Sequence, residues 1–373
     1  MPSNSPTFNN IDTADFHEAE DNQNQPYGQE PPIRTVLTDD QLKNVTREDF
    51  QFSCKEASFV MAFISPNVNF DEVVSALKRY MSKTKLIATT TAGELYSSGN
   101  SPLYCDTPEN WRSVVLQIFS PDMFEKVETF SVPLFCEDLR SGDTFQDHSN
   151  RIEKISEGLK RVNPTFEINS KDTFALTYFE GISYSENFFM EAVYKTNKFP
   201  CLFLGGSSGG KLDFQATKLF DGQQTLENHA VVTFIKLANG QRYSVMKSHN
   251  FQETEHHYVV VDSDSDKRTV SSVIDPKTGK TISLVKALSQ SLNVSPGQLQ
   301  EKLLDKTCGV KIGSEIYVRS IAAVDHEQEI ITFFCDIARG DELILLNATN
   351  FIDHTQTISI NFLKENPRLQ PYL

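Results

Sequence analysis

The chain has 373 residues, a formal net charge of −15 at pH 7, and hydrophobic side chains at 39% of its positions. This length predicts two domains, and the hydrophobic fraction is too high for a disordered protein. The acidity, in a sequence without a basic stripe, excludes nucleic acid from the expected partners, because binding to phosphates needs clustered Lys and Arg.

Residues 1–36 are rich in Asn, Asp, Gln, Ser and Pro, which predicts a disordered acidic tail. The first residues lack a signal-peptide pattern, and no apolar run reaches the length of a membrane span. We therefore expect a cytoplasmic protein with no membrane span in this chain. The six cysteines form no CxxC pair, so buried thiols are expected rather than a zinc site or a redox dithiol.

Two strand–helix–strand patterns follow the tail. Their apolar, strand-like runs lie at residues 58–65 and 85–90, and again at 173–179 and 201–206. Asn69 is placed to cap the helix of the first pattern, and the helix of the second starts near Ser185. These patterns predict an α/β domain over residues 37–250, with a mixed or parallel sheet and flanking helices.

The strongest turn signal, at residues 239–240 (Asn-Gly), predicts a hairpin of strands 229–237 and 241–248. After residue 250 the sequence changes to short strand-like runs separated by turns. Helical patterns occur at 281–292 and 296–304. Residues 251–373 are therefore predicted to form a second, α+β domain with antiparallel strands.

Two loops at the ends of predicted strands are candidate ligand contacts, because ligands of open α/β sheets bind beyond the carboxyl ends of the strands. The first loop contributes Thr90, Thr91, Gly93 and Glu94, and the second contributes Gly205, Gly206, Ser207, Ser208 and Gly209. The glycines permit positive φ and predict a backbone nest for an anion. A simple tight turn is the alternative. The ligand is expected between the two loops.

Other candidates come from single side chains. Ser183 lies where a strand leads into a helix N-terminus, and it either contacts an anion or helps to begin the helix. Arg319 lies in an apolar strand, where it is expected to pair with a carboxylate or to bind a ligand anion. His249, His256 and His257 are weak candidates for a haem ligand, with solvated side chains as the alternative.

Three segments of the sequence resemble the FIST sensory domain. They are residues 59–95, 174–214 and 315–347, and the motifs TAGE (91–94) and GGSSGGKLDF (205–214) carry the resemblance. It implies FIST N and FIST C halves, the second without the family's usual last strand. It also implies a bacterial, non-enzymatic input module that passes a signal to a histidine kinase, a chemoreceptor or a cyclic-di-GMP enzyme.

The leading hypothesis is a sensor of a small ligand, either amino acid-like or another small metabolite. One FIST subgroup that this sequence resembles is described as haem-binding sensors of nitric oxide, so a haem cofactor is the alternative. A weaker alternative is a hydrolase of acyl substrates, which would need Ser183, Ser207 or Cys201 beside a histidine.

Overall fold

The computed structural model describes residues 30–94, 96, 110–141, 147–211, 213 and 215–367. A compact unit begins at Pro32, and the fold described here is that of this unit. The first strand of this unit begins at Ile33, inside the segment predicted as a tail, and the rest of the predicted tail up to residue 29 lies outside the described residues.

The elements are numbered in chain order. The strands are β1 (Ile33–Asp39), β2 (Gln51–Phe52), β3 (Lys55–Glu56), β4 (Phe59–Ile64), β5 (Lys85–Thr90), β6 (Ser113–Phe119), β7 (Phe124–Pro133), β8 (Thr173–Phe179), β9 (Leu202–Ser207), β10 (Leu219–Phe220), β11 (Thr225–Leu226), β12 (His229–Leu237), β13 (Phe251–Asp264), β14 (Thr269–Ile274), β15 (Thr281–Ser283), β16 (Lys306–Ile312), β17 (Glu315–Arg319), β18 (Ile321–Asp325), β19 (Ile330–Phe333) and β20 (Glu342–Ala348). The α-helices are α1 (Phe70–Leu77), α2 (Glu137–Ser141), α3 (His148–Lys160), α4 (Glu186–Thr196), α5 (Leu284–Leu292), α6 (Leu299–Lys302) and α7 (Phe351–Glu365).

The first sheet has the order β1-β6-β4-β5-β10-β11, and its central pair, β4 and β5, is parallel. Helix α1 connects this pair. Its N-terminus is capped by Asn69, whose side chain accepts a hydrogen bond from the backbone N–H of Glu72. The apolar stripe of α1 packs on one face of the sheet. The first predicted strand–helix–strand unit is therefore confirmed.

The second sheet has the order β7-β12-β8-β9, and its β8–β9 pair is parallel and connected by α4. Helices α3 and α4 cover one face. The other face packs against the first sheet, because Met61 and Ile87 share a core with Val231 and Ile235. The N-terminal part thus has four layers, helix on sheet on sheet on helix, which agrees with the predicted α/β class.

The predicted hairpin at residues 239–240 is wrong. A turn does form there, with Gly240 at a φ of 87°, but residues 241–248 form no strand. Strand β12 pairs with β7 on one side and with β8 on the other, so neither of its edges is free for a hairpin partner. Tertiary pairing has overridden a strong local signal.

The third sheet is antiparallel and has the order β17-β16-β20-β13-β14-β19-β18, with β15 added on β14. Only Ser320 separates β17 from β18, so the two edges of the sheet are consecutive pieces of one chain and the sheet curves back on itself. Helices α5 and α6 cover its core. This confirms the predicted α+β character of the C-terminal part.

Helix α7 was not predicted from the sequence. None of its residues is buried, and it lies beside the extended segment 241–249, where the rings of His249 and His354 stack. No helix in the described part of the chain is long and apolar enough to cross a lipid bilayer.

Candidate functional site

The first predicted loop, which follows β5, is tied to its neighbours by backbone hydrogen bonds. Thr90 is buried, and its hydroxyl accepts a hydrogen bond of 2.9 Å from the backbone N–H of Lys218. The N–H of Thr91 donates to the carbonyl of Ile64 at 3.2 Å. Gly93 allows the chain to turn with a φ of 142°. The polar groups of this loop are largely used within the protein.

Glu94 is a buried carboxylate that ends the same loop. It accepts hydrogen bonds from the hydroxyls of Thr91 and Ser113, both at 2.5 Å, and from the indole N–H of Trp111 at 3.5 Å. These donors come from the loop itself, from Trp111 before β6 and from Ser113, the first residue of β6. Glu94 therefore fixes the position of the loop against the first sheet.

Replacing Glu94 by alanine is expected to lower the free energy of unfolding by about 2 kcal/mol, because buried donors lose their acceptor. Urea unfolding followed by far-UV circular dichroism measures the loss, and the emission of Trp111, the only tryptophan in the chain, reports the local change. Glu157→Ala removes an exposed glutamate from α3 and should cost less than about 0.5 kcal/mol. Equal losses in the two variants would contradict this role of Glu94.

The second predicted loop meets the first, although β5 and β9 lie in different sheets. Gly205, Gly206 and Ser207 continue β9, and the N–H of Gly209 donates to the carbonyl of Thr90 at 3.0 Å. A Cβ atom on Gly209 would lie 2.3 Å from the backbone nitrogen of Ala92. The loops are thus in direct backbone contact at this point, and no ligand fits between them there.

The predicted anion nest is not formed. Among the four glycines of residues 205–210, only Gly205 has a positive φ, and the N–H of Ser208 donates to Phe179 rather than pointing into an open space. The hydroxyl of Ser208 accepts a hydrogen bond of 2.9 Å from the N–H of Gly181. The second loop therefore packs between β8, β9 and the first sheet.

Ser183 is fully buried, and its hydroxyl has no hydrogen-bond partner among the described residues. Ser185 occupies the N-cap position of α4, but its hydroxyl donates to the carbonyl of Ser183 at 2.8 Å instead of capping the helix. Ser183 is thus placed directly before α4 without capping it.

Ser207 leads to a polar network that sequence reasoning missed. Its hydroxyl donates to one oxygen of Glu186 at 2.5 Å, and the other oxygen of Glu186 accepts a hydrogen bond of 2.7 Å from Arg268. The Nε of Arg268 lies 3.1 Å from Asp336, which also accepts a hydrogen bond of 2.7 Å from Asn187. We call Ser207, Glu186, Asn187, Arg268 and Asp336 the seam network, because it joins α4 and β9 to the third sheet.

Burial explains the electrostatics of the seam network. The side chain of Arg268 is 8% exposed, and its guanidinium also donates to the carbonyl of Phe334 and lies over the ring of Tyr184. Burial raises the pKa of Asp336, while the charge of Arg268 opposes that rise. Arg268 therefore compensates two carboxylates that the fold holds together.

A cavity of about 530 Å³ lies beside the seam network. Helices α3 and α4 line one wall, and the third sheet lines the other. The lining side chains include His148, Glu186, Glu191, Arg268, Arg319, Cys335, Asp336 and Asp341. Charged groups from both parts of the chain thus face one open cavity, where a small polar ligand can contact both walls.

A model of the FIST N domain matches residues 58–273, more than half of the chain. The chain belongs to the FIST family. FIST domains are sensory domains of signal transduction. A search of curated proteins gave no match.

The FIST N match covers most of the first two sheets and continues through β13 into β14, past residue 250. Arg268, at the centre of the seam network, lies within this match, whereas Arg319 and Asp336 lie beyond it. The predicted division of the FIST protein at residue 250 stays a prediction.

Arg319 is the predicted site residue that reaches the cavity. The expectation of a structural ion pair is wrong, because no carboxylate of the described residues lies within salt-bridge distance of its guanidinium. Its Nη1 donates to the carbonyl of Val318 at 3.2 Å, and its buried Nε has no hydrogen-bond partner in the described structure. Arg319 therefore brings an uncompensated positive charge to the cavity of this FIST protein.

The three histidines do not form a setting that fits haem. The ring nitrogens of His257 lie 2.8 Å from Glu342 and 3.1 Å from the carbonyl of Thr254, so neither is directed into an apolar pocket. His249 stacks on His354 of α7, and His256, next to His257 on β13, does not line the cavity. Axial ligation needs an unengaged nitrogen facing an apolar slot, which this arrangement does not offer.

The three candidate nucleophiles of a hydrolase do not meet a histidine in the described structure. Ser207 donates to Glu186, and Ser183 is enclosed before α4. Burial raises the pKa of Cys201 to about 12, which suppresses the reactive thiolate. The Ser–His or Cys–His pair that the hydrolase hypothesis requires is therefore not formed among the described residues.

Proposed function

We propose that this FIST protein is a sensory module that binds a small zwitterion, such as an amino acid, in the cavity beside the seam network. The observation that carries the proposal is the uncompensated guanidinium of Arg319 in a cavity that also holds carboxylates. A ligand carboxylate satisfies the free Nε–H and the remaining donors of Arg319. A ligand ammonium group is favoured near Glu191 and Asp341, which line the same volume.

The position of the cavity supports a signalling role. Its two walls come from the α/β part and from the third sheet, so a ligand that contacts both walls favours one arrangement of these parts over another. Such a difference in affinity is what shifts a conformational equilibrium. The seam network connects the same two parts, so its contacts would change with this shift.

We further propose a cytoplasmic location and an output partner that is a histidine kinase, a chemoreceptor or a cyclic-di-GMP enzyme, as the family membership suggests.

Thermal unfolding in the presence of each of the common amino acids tests the proposal. At saturation, at least one is expected to raise the melting temperature by about 3 °C or more, because a ligand of the folded state stabilises it by mass action. Arg319→Met should remove this rise while the variant stays folded. Arg161→Met, which removes an exposed arginine outside the cavity, should keep it. A wild-type protein that responds to no amino acid contradicts the proposed ligand class.

A further inference from the structure

A second cavity, of about 270 Å³, lies at the opposite end of β5 from the first predicted loop. It is lined by Lys78 after α1, by Lys83 before β5 and by Lys85, the first residue of β5. The turn 221–223 between β10 and β11 also contributes to the lining. We call it the lysine hollow. It shares no lining residue with the cavity beside the seam network.

The charge of the lysine hollow contrasts with that of the chain. The salt bridges of the described residues include none of Lys78, Lys83 and Lys85, although the nearby Lys218 is paired with Asp71. The ammonium group of Lys78 lies 5.6 Å from the ring centroid of Phe220. Three cations without a carboxylate partner thus surround one small volume in a protein of net charge −15.

The loop that presents two of these lysines is held in place by Glu56. One oxygen of Glu56 accepts hydrogen bonds from the backbone N–H groups of Ser82, Lys83 and Thr84, at 2.7, 2.8 and 3.0 Å. The hydroxyls of Ser82 and Thr84 donate to the same carboxylate. Burial raises the pKa of Glu56, but these hydrogen bonds outweigh it and lower the pKa to about 2. The carboxylate of Glu56 is therefore fully engaged in holding this loop in place.

Asp221 contributes a carboxylate to the lining of the hollow, and this side chain is engaged within its own turn. One oxygen of Asp221 accepts hydrogen bonds from the backbone N–H groups of Gln223 and Gln224, both at 2.9 Å. Met81 and the buried Leu86 form an apolar floor. The small volume of the hollow, about 270 Å³, suits a compact ligand and not a polymer.

We infer that the lysine hollow binds a small anion that carries a phosphate group. Lysine ammonium groups recognise phosphate as point charges, and three lysines line a volume that holds one or two such groups. This site is separate from the proposed amino acid site, and it can be tested whether or not that proposal holds. Binding there would allow the protein to respond to a second small molecule.

Isothermal titration with inorganic pyrophosphate at about 50 mM NaCl tests the site, because surface charges interact strongly at low salt. We expect measurable binding to the full chain that weakens as salt is raised. In the double variant Lys83→Ala/Lys85→Ala, the dissociation constant should rise about tenfold or more, since two charge-assisted contacts are lost.

The matched control is Lys277→Ala/Lys280→Ala, which removes two exposed lysines from the turn between β14 and β15 and changes the net charge equally. Its dissociation constant should change by less than about twofold. No binding to the wild-type chain, or equal weakening in the two double variants, would overturn the inference. Citrate serves as a comparison without phosphorus, and citrate binding as tight as that of pyrophosphate would overturn the assignment to phosphate.

Discussion

Gly209→Ala is expected to lower the free energy of unfolding by about 3 kcal/mol. A Cβ atom at this position would lie 2.3 Å from the backbone nitrogen of Ala92 and 2.7 Å from the carbonyl carbon of Thr91. Both are backbone atoms of the opposing loop, so no side chain can rotate away and the two loops must separate. The hydrogen bond from Gly209 to Thr90 is then lost as well. Urea unfolding followed by circular dichroism measures the change.

The control lies three residues earlier in the same loop. A Cβ atom on Gly206 would have no atom within 4 Å, and the φ of Gly206 is not positive. Gly206→Ala should therefore leave stability unchanged or slightly higher, because alanine restricts the unfolded chain. If Gly209→Ala were as stable as Gly206→Ala, the close backbone contact between the two loops would be disproved.

Arg268→Met is expected to destabilise the protein by about 3 kcal/mol at neutral pH. Methionine keeps much of the apolar stem but leaves Glu186 and Asp336 close together without a cation, and breaking a buried ion pair in this way is costly. The carboxylates are 32% and 16% exposed, which keeps the cost at the lower end of the range for buried pairs. Arg339→Met is the control, because Arg339 and Asp262 form an exposed pair that contributes at most about 1 kcal/mol.

The loss in Arg268→Met should depend on pH. Burial raises the folded-state pKa of Asp336, and removal of Arg268 takes away a charge that lowers it. A carboxyl group with a raised folded-state pKa binds its proton more tightly when folded, so stability increases as the pH falls through that pKa towards the unfolded value. The difference between the variant and the wild type should therefore shrink between about pH 7 and about pH 5. A difference that stays constant or grows over this range contradicts the role assigned to Asp336.

The parallel strand pairs and their connecting helices could be predicted because neighbouring residues in the sequence determine them. Apolar runs on either side of α1 and α4 identified the parallel pairs, and the cap at Asn69 fixed the start of α1. The sequence also singled out the loops after β5 and β9 as a pair, and the structure shows that they meet. What the sequence did not show is that this meeting leaves no room for a ligand, since that depends on distances of a few tenths of an ångström.

The site proposed here depends on contacts between distant residues. Arg268 and Glu186 are 82 positions apart, and Asn187 and Asp336 are 149 apart. No periodicity connects such residues, and charged side chains at these positions look like ordinary solvated groups in a sequence. Arg319 was noticed because it interrupts an apolar strand. Its lack of a partner could be known only once the surrounding side chains were placed.

The order of strands in the third sheet has a consequence for how the protein is made. Strand β20 lies between β13 and β16, so residues 342–348 occupy the centre of the sheet although they follow every other strand of the described structure in sequence. Strands β13 and β16 have no common neighbour until β20 has been synthesised. Pairing over such a separation in sequence forms slowly, because a long loop must close first. We expect the two N-terminal sheets to fold during translation, and the cavity beside the seam network to form only after β20 has been synthesised.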